Sequence, residues 1–445
     1  MSALSGAPGS SDDLFTHLHI DLNSFFASVE QHLHPEFRGK ATAVTATMAN
    51  TGTIIAASYE AKALGIKTGT KVAEARRLCP ELNLVSSDHS VYAEFSHKIS
   101  ETVEGVCPVA HHPSIDEMVC ELMGRERQPP VARRIALDIK QAIREKVGES
   151  LRCSIGMAPN RYLAKIASDM QKPDGLIGLL PSQLPRAIAH LDLRDLPGVG
   201  ERTEKRLHAK GITTMAELLM LDRNGMHALW DSVWGDRLYH WLRGHDTGDD
   251  GAPVASAAQK SLGHSHVLAP EHRTIEGVWS VTHKLLHKAA MRLRMEKFHA
   301  GSLSFHIRFA LTREQVERAE KSKRHSSGIE HASWGMEARF RPCNDTLTLL
   351  EALQGIWQQC PKGPDQQRPF FVGVTLHNLI PDDDVQQMLF EEPGNRSQLS
   401  ATMDKLNLKY GHTTLYFAGM LKAKDSAPTR IAFTQIPVQY GVDYM

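Results

Sequence analysis

Two adjacent carboxylates, Asp116 and Glu117, lie in Pro113-Ser114-Ile115-Asp116-Glu117-Met118-Val119-Cys120-Glu121-Leu122, a run that otherwise reads as a strand. No other stretch restricts the chain so tightly. Neighbouring residues on a strand face opposite sides of the sheet, so the pair cannot both reach solvent if the strand is central. An unpartnered buried carboxylate is very costly unless a cation holds it. A third acid, Asp21, comes near the end of another apolar run, His17-Leu18-His19-Ile20-Asp21-Leu22. Three acids on two strand ends make an oxygen-rich cage suited to a hard cation such as Mg²⁺. Two such ions ~3.5–4 Å apart can clamp the attacking and leaving oxygens of a phosphoryl displacement. A single Asp at a strand end is ordinarily a turn or cap residue. The doubled acid, and the segment Asn23-Ser24-Phe25-Phe26-Ala27-Ser28-Val29-Glu30 after Asp21, argue for more than that here.

Asp21 to Glu30 followed by Ser114-Ile115-Asp116-Glu117 resembles the Y family of DNA polymerases, of the DinB/UmuC type. The likeness continues through Ser58-Tyr59-Glu60-Ala61-Lys62-Ala63-Leu64-Gly65-Ile66, Ser154-Ile155-Gly156, Asn160, Leu163 to Asp169, Lys172-Pro173-Asp174-Gly175 and Leu196-Pro197-Gly198-Val199-Gly200. It implies an α+β multidomain right-hand polymerase. Its parts would be a leader at 1–16, expected to be disordered, a palm at 17–40 and 89–180, fingers at 41–88, and a helix-hairpin-helix thumb at 181–244. A linker at 245–260, a β-α-β-β-α-β little finger at 261–380, and a clamp-binding segment with tail at 381–445 would complete it.

The implied activity is template-directed DNA synthesis past damaged bases. Asp21, Asp116, Glu117 and the Leu22 carbonyl would hold two Mg²⁺, with Mn²⁺ able to substitute. Phe25 and Phe26 would line the nucleotide site, Phe26 as a steric gate against a 2′-hydroxyl. Tyr59, Lys62 and Lys172 would contact the triphosphate, and Lys165 also matches a family lysine near the active site. Many DinB-type members carry Arg where this chain has Lys62, and Thr where it has Ala56, so a bidentate fork becomes a point charge. Some relatives have lost the carboxylates and act as clamp-tethered scaffolds; here all three acids are present. A nuclease or cyclase on a similar palm is disfavoured by the remaining motifs.

Composition supports an intracellular DNA-binding protein more by position than by total. Lys+Arg and Asp+Glu balance at 51 each. The six cysteines are scattered with no Cys-x-x-Cys, which points away from zinc and disulfides and towards a reducing cytoplasm. The start lacks the basic and apolar regions of a signal peptide, and no run is long and apolar enough to span a membrane. Leu196 to Leu207 is a helix-hairpin-helix signature, whose Gly198 and Gly200 let backbone approach a phosphate and whose Arg202 adds charge. Basic residues outnumber acids between Lys284 and Arg324, a face for DNA phosphates.

The Val131–Val147 stretch predicts an amphipathic helix whose Arg133, Arg134, Lys140, Arg144 and Lys146 form a solvated face. Palm strands are expected at 18–22, 116–122 and 151–157. Past the last little-finger strand, Gln386-Gln387-Met388-Leu389-Phe390 has the Gln-x-x-Leu-Phe form of bacterial sliding-clamp ligands, with Gln386, Leu389 and Phe390 as anchors. The expected partners are primer-template DNA, deoxynucleoside triphosphates and the clamp, served by a monomeric polymerase.

Overall fold

The computed structural model describes residues 13–50, 52–248, 261–310, 331–360, 368–386, 395–411 and 414–424. Two compact units divide the chain near residue 252.

The first unit is built on a five-stranded sheet. Strand β1 (His17–Leu22) is buried along its whole length and leads into α1 (Phe25–Leu33). A small module follows: β2 (Thr42–Thr45), β3 (Ile54–Ala57), α2 (Tyr59–Ala63), α3 (Val72–Leu78) and β4 (Asn83–Ser86), with sheet order β3-β2-β4. Ser58 caps α2 by accepting the Ala61 N–H, and Gly65 past its end has φ +84°, a left-handed conformation that glycine adopts at no steric cost.

The chain then returns to the large sheet through α4 (His89–Glu104), β5 (Val109–Ser114), β6 (Glu117–Glu121), α5 (Pro129–Lys146), β7 (Cys153–Ala158), α6 (Arg161–Met170) and β8 (Leu176–Gly178). The order is β5-β6-β1-β7-β8, so β1 is central and antiparallel to both neighbours. Gly156 on β7 is obligatory: a Cβ there would lie 2.0 Å from the Ala164 carbonyl oxygen and 2.4 Å from the Ser168 nitrogen. Its absence lets α6 lie directly on the sheet, and Asn160 caps that helix through the Leu163 N–H at 2.9 Å.

Four short helices complete the unit: α7 (Glu201–Ala209), α8 (Met215–Met220), α9 (Arg223–Trp230) and α10 (Val233–Trp241). Thr214 and Glu217 form a capping box at the start of α8.

Two expectations for this unit are corrected. Asp116 is not on a strand: β5 pairs with β6 through Ser114 and Glu117, leaving Ile115 and Asp116 as a two-residue hairpin turn. The turn lacks glycine or asparagine and neither residue has positive φ. Burial of Ile115 and two hydrogen bonds hold it instead: Ser96 Oγ donates to the Ile115 carbonyl at 2.6 Å, and the Leu22 N–H to the Asp116 carbonyl at 2.9 Å. Lys140 does not belong to a solvated face. It turns inward, 13% exposed, because unsatisfied carbonyls at the base of β7 and beyond α6 draw its ammonium.

The second unit is an antiparallel sheet of order β11-β10-β12-β9, from β9 (Ser261–Val267), β10 (Phe298–Ala310), β11 (His331–Cys343) and β12 (Pro369–Pro381). Helices α11 (Ile275–Met295) and α12 (Thr346–Gln359) cover one face. Alternation along the strands sends Leu303, Phe305, Ile307, Val372, Val374 and Leu376 into this core. A further helix, α13 (Asn395–Tyr410), is tied on by Arg294, which donates to both Asp404 carboxylate oxygens at 2.6 and 2.9 Å. No described helix is long and apolar enough to cross a membrane.

Candidate active site

The site follows from strand register. Asp21 on β1 is paired with Glu117 on β6 and with Ser154 on β7. Residues directly opposite in an antiparallel pair project from the same face with Cβ atoms ~4.5–5.5 Å apart. The two carboxylates are therefore brought together by backbone pairing alone. His19, two residues earlier, shares that face: one ligand atom from each of His19, Asp21 and Glu117 lies within 4.8 Å of the others. Asp116 lies at the adjoining turn, outside that group of three, where Ser114 Oγ donates to its Oδ1 at 2.5 Å and the charges of Asp21 and Glu117 act on it.

Helix α6 and the turn after it answer these acids with cations. Lys165 Nζ is 2.7 Å from Asp21 Oδ2 and 2.6 Å from Glu117 Oε1. Lys172 Nζ is 2.7 Å from both Asp21 Oδ1 and Asp169 Oδ1. Their positions set the ionisation of each group. Burial would push the Glu117 carboxyl up, but His19 and Lys165 hold it far below the usual carboxylate range. Burial is the main force on Asp116 and pushes its carboxyl up, aided by the charges of Asp21 and Glu117 and opposed by the Ser114 hydroxyl. Burial would lower Lys165, yet Asp21, Glu117 and Asp169 raise it strongly. The adjacent carboxylates thus titrate in opposite directions.

This donor set fits divalent metal. Asp21 and Glu117 offer hard oxygens beside a His19 ring nitrogen, the adjoining turn would add the Asp116 carboxylate, and an ammonium already lies between the first two. Oxygen ligands of this type favour Mg²⁺, Ca²⁺ or Mn²⁺ over softer metals.

The residues expected at a nucleotide site gather around the first turn of α1. Ser24, with φ +50°, accepts a hydrogen bond from Lys62 Nζ at 2.8 Å, and that ammonium lies 4.4 Å from the Tyr59 ring centre. Burial lowers Lys62, and repulsion from Lys172 adds to it, so the two lysines sense one another across the site. Phe25 and Phe26 are buried. The Phe26 ring stacks on Tyr92 at 4.2 Å and 13°, and the Tyr92 hydroxyl donates to Glu30 at 2.5 Å, which fixes the stack.

Beside them, Lys165 and Asp169 share a groove of about 530 Å³ with Arg194 and the loop Asp195 to Gly200. Gly198 has φ +87°, and Gly200 caps α7 with open space where a side chain would stand. Arg202 is exposed on α7. Gln386 is exposed, while Leu389 and Phe390 lie outside the described residues.

Sequence reasoning on residues alone did not find Lys165 as a partner of the acids, nor Asp169, His19 or Ser24. The signal for Lys165 and Asp169 was their spacing of four on a helix capped by Asn160, which turns both to one side.

The description "impB/mucB/samB family" matches residues 20–169 and its C-terminal domain residues 259–389, while "DNA polymerase-iota, thumb domain" matches 194–246. The chain is 32% identical to DNA polymerase IV of Moorella thermoacetica over 90% of its own length and 95% of that protein's. It is 30% identical to DNA polymerase IV 1 of Bacillus subtilis, covering 96% and 98%. A Y-family DNA polymerase chimera of Dbh and Dpo4 shares the fold at TM-score 0.64 and 23% identity, over 82% of this chain and 99% of that one. The chain belongs to the impB/mucB/samB family, the Y family of translesion DNA polymerases, which use divalent metal.

Proposed function

We propose that this polymerase extends a primer on damaged template DNA with deoxynucleoside triphosphates, using two Mg²⁺, for which Mn²⁺ can substitute. Asp21, Asp116, Glu117 and the Leu22 carbonyl would hold the ions, which when bound neutralise phosphate charge and lower the pKa of the attacking hydroxyl. The primer 3′-hydroxyl gives its proton to solvent, its oxygen bonds to the α-phosphorus of the nucleotide, the bond from that phosphorus to the bridging oxygen breaks, and pyrophosphate leaves with the electron pair. Lys172, Lys62 and Tyr59 would receive the triphosphate, and Lys165 would release the carboxylates when metal enters. The stacked Phe26 ring, backed by Tyr92, would exclude a 2′-hydroxyl by clash. Gly198, Gly200 and Arg202 would contact DNA phosphates.

The observation that carries this reading is the pairing of Asp21 with Glu117 across β1 and β6, with Asp116 at the adjoining turn. Gln386, Leu389 and Phe390 would dock on a bacterial sliding clamp, the polymerase being a monomer working in the cytoplasm.

Primer extension by the purified protein with Mg²⁺ tests it, beside an Asp116→Ala/Glu117→Ala control. Extension by the parent and none by the control is expected. Failure of the parent would leave a clamp-tethered scaffold as the reading. On the same templates Phe26→Ala should raise ribonucleotide incorporation at least ~100-fold, the effect of relieving a clash worth several kcal/mol; unchanged sugar selectivity would remove the gate.

A further inference from the structure

The loop that carries Lys172 is held by a side chain that no part of the mechanism above uses. Lys140, on α5, points its Nζ at the Cys153 carbonyl at 3.0 Å, the Asp174 carbonyl at 2.7 Å, the Gly175 carbonyl at 2.9 Å and Asp174 Oδ1 at 2.8 Å. Three N–H donors serve four acceptors, so the ammonium is saturated from one side. Two of the carbonyls and the carboxylate belong to Asp174-Gly175, directly after Lys172-Pro173. The same turn is gripped from the other side. Asn23 Oδ1 accepts the Asp174 N–H at 2.7 Å, and Ser154 Oγ accepts the Gly175 N–H at 3.1 Å and donates to the Gln171 carbonyl at 3.0 Å. Asp174 has φ +57°, a left-handed conformation that carboxamide and carboxylate residues tolerate better than most. The turn is therefore stapled at both edges, and Lys172 leaves it pointing at Asp21.

We infer that Lys140 is a positioning residue for the nucleotide triphosphate: it fixes the 172–175 turn so that the Lys172 ammonium stands where phosphate charge arrives. This rests on the polymerase reading and assigns to one helix-borne lysine a part in nucleotide affinity. Lys140 itself touches none of Asp21, Asp116 and Glu117; its one carboxylate partner is Asp174 in the turn. It acts on the backbone that aims Lys172, and a misplacement of about 1 Å in such a group can cost up to ~10²-fold in rate.

The test is a double-mutant cycle on single-nucleotide insertion, with Lys140→Met, Lys172→Met and the pair. Lys140→Met should raise the nucleotide KM about tenfold with kcat reduced less, because a phosphate contact is loosened while the carboxylates stay paired by strand register. Lys140→Arg, which keeps charge and several donors, should restore KM to within about threefold. In the Lys172→Met background, Lys140→Met should change KM less than twofold, since the group it aims is gone. A merely structural role predicts the same loss in both backgrounds, and that additive result would overturn the inference, as would an unchanged KM in the single variant. Should Lys140→Met fail to fold, Lys140→Gln, which retains two N–H donors, takes its place in the same cycle. No extension by the parent enzyme would overturn the polymerase reading and this inference with it; a parent that extends with an additive cycle would overturn this inference alone.

Discussion

The two units bury ionisable groups in contrasting ways. In the first, two buried acids at β1 and β6 meet cations: Glu117 meets Lys165, and Asp21 meets Lys165 and Lys172. The second has one such buried pair, Arg294 with Asp404, but its His264, His283 and His287 are lowered to about 4, with burial the largest cause in each. Compensation keeps a group charged in a low-dielectric place, whereas burial without a counter-charge keeps it neutral. A site that must exchange one cation for another needs the first arrangement. A domain that only presents a surface can use the second.

The contrast is sharpened most by removing the compensated charges. Asp21→Asn or Glu117→Gln should lower primer extension on the order of 10³-fold, because oxygen donors to the reacting phosphate are lost. Retained activity in either would break the assignment of that carboxylate. Lys165→Met should act in the opposite sense on metal. Breaking a buried pair from one side costs ~3–5 kcal/mol, and Lys165 is 23% exposed, so solvent screening trims the expected loss to about 2 kcal/mol in metal-free protein. The same variant should show a larger rise in melting temperature on adding Mn²⁺, since metal no longer competes with an ammonium. Equal metal-induced shifts in parent and variant would show that Lys165 does not occupy the cation's place.

Acid should then separate the units. A histidine with folded pKa below its unfolded value of about 6.5 binds its proton more readily when unfolded. Its contribution is present above pH 6.5 and is lost as pH falls towards 4. Glu117 is shifted down, so its contribution holds above the unfolded value near 4.5 and disappears only as pH falls through the lower folded value. Hydrogen exchange followed by peptide mass should show β9 and α11 opening between pH 6.5 and 4 before β1 and β6, although burial lowers His19 on β1 as well. Earlier exchange in β1 would break the contrast.

The sequence made the second unit easier to read than the first. Long strands with strict alternation, such as Leu303, Phe305 and Ile307, announce both element and facing. The palm hides its edges. Strand β5 carries His111, His112 and Pro113, which interrupt the alternation, and β8 is three residues long. Ile115-Asp116 reads as strand because an isoleucine stands where a tight turn would ordinarily carry glycine or asparagine. The acids were legible from their doubling, but their grouping depends on register, which a one-residue slip would reverse. Lys140 was misread because an amphipathic helix gives no sign that one of its lysines faces carbonyls contributed by distant segments.

The finest test of compensation lies between two adjacent residues. Asp116 is raised and Glu117 lowered, although they are consecutive. Glu117 has Lys165 at 2.6 Å, while Asp116 has the Ser114 hydroxyl and two like charges near it. A carboxyl raised in the fold ionises more readily when unfolded, so at neutral pH its charge favours unfolding. Replacing it with a neutral isostere should therefore stabilise metal-free protein, so Asp116→Asn is expected to raise the denaturant midpoint. Glu117→Gln should instead lose stability, because it strands Lys165 beside one carboxylate fewer. Denaturant midpoints of the two variants without metal settle the matter. Shifts of the same sign would mean that proximity to Lys165, rather than burial as such, does not decide which acid is comfortable at this site.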